Sequence, residues 1–155
     1  MQKDSHTEAN KQLVFDQRVR ERDFGIFEGK PWQELKDAQE KRSGQDTNAF
    51  RPKNGESWDD CTERAKKFIR SVMRQLRNQC SKSKANSTSQ KLLLVSHGGF
   101  IVNFLKAAHQ LSKKEFERGA GVKNTSVSRI KISLNADKSY TFKVLQWNSA
   151  THLDL

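Results

Sequence analysis

Cysteine, proline and tyrosine are nearly missing from this chain of 155 residues, which holds two, two and one of them. Two cysteines cannot make a disulfide framework. Cys61 and Cys80 belong to no C-x-x-C pair that would speak for zinc or redox chemistry, so both read as reduced thiols. No apolar run approaches the length needed to cross a bilayer, and residues 1–12 hold no apolar stretch of the kind a secretory signal requires. A cytoplasmic protein with no membrane partner is the expectation. Acidic residues are short too, 18 against 29 lysines and arginines. The resulting net charge of +11 calls for an anionic partner, whether nucleic acid, an anionic membrane or a small phosphorylated substrate. With 34% hydrophobic residues, the length suffices for one domain around a thin core, and marginal stability follows.

Met1 to Gln12 is polar and aperiodic and reads as a disordered or frayed N-terminal segment, with one domain from residue 13 to 155. Leu13-Val14-Phe15 reads as a short strand leading into an arginine-rich loop. Pro31 opens a helix with Trp32, Leu35 and Ala38 on one side, and Gly44 to Gly55 is a turn-rich connection. Ser57, with Asp60 three residues on, caps a second helix. Its apolar stripe is Trp58, Cys61, Ala65, Phe68, Val72 and Leu76, and its other face carries Lys66, Lys67, Arg70, Arg74 and Arg77. Ser81 to Gln90 reads as a surface loop. The continuous apolar run Leu92 to Val95 predicts a strand covered on both faces in a parallel sheet. Phe100 to His109 predicts a helix, Ser112 with Glu115 a short capped one, and Ser126–Leu134 with Tyr140–Trp147 a hairpin about the turn Asn135 to Lys138. Helices alternating with strands make the class α/β.

Two clusters carry the chemistry. In Arg18-Val19-Arg20-Glu21-Arg22, charges precede Phe24, Ile26 and Phe27, which Gly25 and Gly29 bracket. A solvated charge cluster is one reading; a tight loop with an apolar underside and a phosphate-facing rim is the other. Ser96-His97-Gly98-Gly99 falls directly after the apolar run and before a helix, where backbone donors and the helix dipole favour phosphate. A histidine that merely caps a strand would have the same local sequence.

Taken with Asn54-Gly55-Glu56-Ser57, these segments resemble the histidine phosphatase superfamily, or phosphoglycerate mutase-like family, and within it the TIGAR-type fructose-2,6-bisphosphatases. The family's arginine-glutamate-arginine loop matches Arg20-Glu21-Arg22 and its glycine-glutamate-serine turn matches Gly55-Glu56-Ser57. Its second catalytic histidine matches His97, the asparagine that opens a late strand matches Asn124, and the terminal asparagine-x-x-x-histidine-leucine resembles Asn148 to Leu153. Glu28, where mutase members carry glutamine, favours the phosphatase branch. The resemblance implies a three-layer α/β/α fold and hydrolysis of a phosphomonoester, such as a sugar phosphate, without metal or cofactor. It implies Glu21 as general acid, His97 as a charged donor to phosphoryl oxygens and Gly98 as a backbone donor. Arg20 or Arg22 would contact a second phosphate or carboxylate, and Asn124 would be a further substrate- or phosphate-binding residue.

One part of the pattern has no counterpart. The family's nucleophilic histidine lies in an arginine-histidine-glycine motif after its first strand, and none of His6, His109 and His152 has that context. The expectation is an N-terminally truncated fold, inactive for want of an attacking imidazole, whose unpaired sheet edges promote self-association. A non-catalytic phosphate-binding or regulatory module is the alternative. A basic nucleic-acid binder is a second alternative, which the placement of aromatics in apolar helix and strand positions disfavours.

Overall fold

The longest element is the amphipathic stretch whose stripe the sequence displays. In the computed structural model, which describes residues 13–42, 46–82, 91–108, 121–134 and 140–153, it is a helix over Trp58–Lys82. Two short 3-10 turns, Gln17–Val19 and Gly25–Phe27, precede helix α1, Trp32–Glu40. The long helix is α2, Gly98–Ala107 is α3, and strands β1, Val127–Leu134, and β2, Tyr140–Ser149, come before a last 3-10 turn at Thr151–Leu153.

Ser57 and Asp60 start α2 reciprocally: the Asp60 N–H donates to Ser57 Oγ at 3.0 Å, and the Ser57 N–H donates to Asp60 Oδ2 at 2.8 Å. The stripe then recurs at helical spacing through Cys61, Ala65, Phe68, Ile69 and Met73, all buried. It closes against Phe100, Ala107 and Ala108 of the α3 segment, with Phe68, Phe100 and Phe104 meeting edge to face or tilted at about 6 Å. Buried Asn103 fixes the pair, accepting from the Thr62 hydroxyl at 2.8 Å and donating to the Gly99 carbonyl at 2.8 Å.

β1 and β2 pair antiparallel, and Ile132, Tyr140 and Phe142 pack on the α2–α3 core. Helices thus cover one face of the hairpin, so two of the expected three layers are seen among the described residues. The class is α/β.

The expected strands at 13–15 and 92–95 do not form. Leu92, Leu93 and Val95 are 68%, 86% and 80% exposed, Leu13, Val14 and Phe15 are as open, and neither segment joins a ladder. A strand exists only through a neighbour that takes its N–H and C=O groups, and the described sheet has two strands that satisfy each other. Only Leu94 of that run packs partly on the core. Smaller corrections are that α2 runs on through Ser81 and Lys82, and that α3 starts at Gly98. The expectations for residues 1–12, for the Ser112 helix, for His109 and for the turn Asn135 to Lys138 lie outside the described residues.

Candidate functional site

Three loops meet at the N-terminal ends of α2 and α3. The arginine loop is fastened to the glycine-glutamate-serine turn by backbone bonds, Ile26 N–H to Lys53 O at 3.1 Å and Glu56 N–H to Asp23 O at 2.8 Å. The approach needs glycine at both contacts. A Cβ on Gly25, whose φ is +56°, would lie 2.2 Å from Lys53 O, and one on Gly55 would lie 2.7 Å from Asp23 O.

Glu56 holds this junction. Its Oε1 accepts from both terminal nitrogens of Arg20 at 2.9 Å and from Arg64 Nε at 3.2 Å, while Oε2 accepts from Arg64 Nη2 at 2.9 Å and the Asp23 N–H at 3.2 Å. Burial opposes ionisation of Glu56, but the hydrogen bonds from Arg64 and Arg20 outweigh it and hold the carboxyl below its usual range. Arg64 also donates through Nη1 to the carbonyls of Arg18 and Arg20, both at 2.8 Å. It is the structural key of the loop, and sequence reasoning missed it. The available signal was an arginine at i+3 from Cys61 and i−4 from Phe68, inside the apolar stripe. Beneath it, burial pushes the Cys61 thiol up to about 11.

Arg22 stands differently from the expectation of a ligand contact at the rim. It is 2% exposed, donates through Nε to Glu56 O at 2.7 Å and stacks its guanidinium 4.2 Å from the Trp58 ring centroid. Its Nη1 is buried without a partner among the described residues, and burial draws its pKa below the usual value. Arg20 is the outward member of the pair, with a side chain 44% exposed.

Glu21 and the His97 turn are brought together. The Glu21 carboxylate accepts the Arg22 N–H at 2.8 Å and, across 78 positions of chain, the Gly99 N–H at 3.0 Å. A Cβ on Gly99 would fall 2.3 Å from Glu21 Oε1, so the carboxylate rests where any other residue would place its side chain. Ser96 Oγ donates to Val19 O at 2.5 Å and ties the same two loops. His97 is the N-cap of α3, exposed, and its ring has no hydrogen bond among the described residues. Gly98 faces Val122, whose Cβ would lie 3.7 Å from a Cβ built on Gly98. That places the loop bearing Asn124 beside the start of α3. Asn148, in left-handed backbone at φ +49°, shapes this loop: its Oδ1 accepts the Lys123 N–H at 2.8 Å and its Nδ2 donates to Gly121 O at 3.1 Å. Asn124 itself lies exposed in the turn before β1.

Chemically, this is a carboxylate and an exposed imidazole at the positive end of a helix, with a guanidinium alongside. The arrangement fits a phosphate ester, whose oxygens take N–H donors and whose leaving oxygen takes a proton.

The chain is 24% identical over 162 aligned positions to fructose-2,6-bisphosphatase TIGAR B of Danio rerio, covering 86% of this chain and 62% of that protein. It is 40% identical over 57 positions to fructose-2,6-bisphosphatase TIGAR of Bos taurus, covering 37% and 21% respectively. Its fold matches a mycobacterial glucosyl-3-phosphoglycerate phosphatase in complex with inorganic phosphate at a TM-score of 0.63 and 22% identity, covering 86% of this chain and 63% of that one. The chain thus spans less than two thirds of the length of these proteins. Residues 5–148 match the description of the histidine phosphatase superfamily (branch 1), and to that superfamily this chain belongs.

Proposed function

We propose that these residues form the proton-donating and phosphate-holding part of a phosphomonoester hydrolase site, with a sugar phosphate such as fructose 2,6-bisphosphate as the ligand. The observation that carries this reading is the Gly99 N–H on the Glu21 carboxylate at 3.0 Å, which joins the two motifs into one site. His97 and the N–H of Gly98 hold the phosphoryl oxygens, and Glu21 is the group that would protonate the leaving oxygen once a nucleophile attacked phosphorus. Arg20 swings from Glu56 to a second anionic group, while Arg22 supports the loop from below. Asn124 borders the ligand.

General acid help of this kind is worth roughly 10²- to 10⁴-fold and does not replace an attacking imidazole. The chain binds phosphate esters without turning them over, which is the behaviour of the regulatory-module alternative. Titration with vanadate and with fructose 2,6-bisphosphate, followed by calorimetry, tests binding, and release of phosphate from p-nitrophenyl phosphate tests turnover. Binding that weakens about tenfold in His97→Ala, with no turnover, is the expected result. Turnover through a phosphorylated histidine within the chain would overturn the inactivity. Undetectable binding by the wild type would overturn the site.

A further inference from the structure

The hairpin carries an arrangement that neither its folding nor the phosphate site accounts for. Lys131 and Lys143 are direct cross-strand partners on its outward face, both exposed. Side chains so paired stand about 5 Å apart, and like charges there are destabilising. Arg129, two residues before Lys131, is exposed as well. Nothing within the hairpin strands compensates, because neither β1 nor β2 contains an acidic residue. None of the three cations enters an ion pair among the described residues. Beside them Val127 and Leu145 are 49% and 52% exposed. A local conflict of this kind marks a place where something else supplies the counter-charge.

We propose that this face docks on an anionic lipid membrane. Three cations supply attraction to phosphoserine-type headgroups, and the aliphatic side chains of Val127 and Leu145 enter the headgroup boundary. The mixture selects lipid over nucleic acid. A single-stranded nucleic acid is held by aromatic stacking, and the exposed residues of the two strands are cationic, aliphatic or hydroxylated, with Phe142 packed on the core and Trp147 half-buried. No helix among the described residues is long and apolar enough to cross a membrane.

Co-sedimentation of the purified chain with vesicles tests the proposal, comparing pure phosphatidylcholine with phosphatidylcholine containing phosphatidylserine. Lys131→Glu converts the opposed pair into an attractive one, so it leaves the hairpin intact and should raise the thermal midpoint while lowering vesicle affinity tenfold or more. Arg74→Glu, an exposed position on α2, makes the same change in net charge and should lower affinity no more than twofold. Leu145→Ser should weaken binding severalfold with the salt dependence unchanged. Equal losses in Lys131→Glu and Arg74→Glu would overturn the proposal, as would undiminished binding to neutral vesicles. So would single-stranded RNA bound more tightly than vesicles and released by Lys131→Glu.

Discussion

Glycine at position 99 permits the contact on which the site depends, and its replacement separates two opposed effects. In an ordinary helix, alanine for glycine is favourable by up to about 1 kcal/mol. Here the new methyl would meet Glu21 Oε1 at 2.3 Å and Trp58 at 3.1 Å, and overpacking of this kind costs typically 1–3 kcal/mol. Gly99→Ala is therefore expected to lower the thermal midpoint and weaken vanadate binding; a raised midpoint would show that Glu21 does not rest there. Glu56 gives a second residue-scale outcome, through pH. Its folded pKa lies below the usual 4.5, so the stability it adds is fully present above the unfolded value and is lost as pH falls through the folded one. In Glu56→Gln that part of the acid-unfolding slope disappears, which urea titrations between pH 6 and 3 would detect.

Elements differ in how much of them local sequence determines. α2 was readable because its start, stripe and charged face lie within one stretch. Ser57 and Asp60 cap it as their spacing predicts, and the Ser57 hydroxyl, in a residue 4% exposed, receives the Asp60 N–H. Ser57→Ala should cost about 1–2 kcal/mol, seen as a lower urea midpoint with an unchanged slope. The hairpin was readable for the same reason, since only five residues separate its two strands in the sequence. The run at 92–95 was not, because four apolar residues state a preference for burial and nothing about what lies alongside. Leu94 alone of that run packs on the α2–α3 cluster. The candidate site's motifs could be read in the sequence but not their meeting, because the seat of Glu21 on the Gly99 N–H joins positions 78 apart. Arg22 shows the opposite failure, a guanidinium that local sequence could not reveal as the buried partner of Trp58.

At the scale of the whole molecule, a positive charge that keeps copies apart opposes apolar segments that draw them together. Leu13, Val14, Phe15, Leu92, Leu93 and Val95 all stand in solvent, and the tie from Ser96 to Val19 connects the two segments they belong to. Extended apolar chain with unpaired backbone groups is a template for another strand. The net charge of +11 works against that pairing over a distance of about 10 Å at 0.1 M salt, and over less as salt rises. Association should therefore grow with ionic strength, the reverse of docking on anionic vesicles, and sedimentation velocity at 50 mM and 500 mM salt would show the sign. The double variant Leu93→Lys with Val95→Lys should stay monomeric at both. Its thermal midpoint should remain within about 1 °C of the wild type, because side chains 86% and 80% exposed contribute little to the core. A midpoint lowered by many degrees would mean that these residues pack inside the folded molecule, and association unchanged in the variant would place the contact elsewhere on the surface.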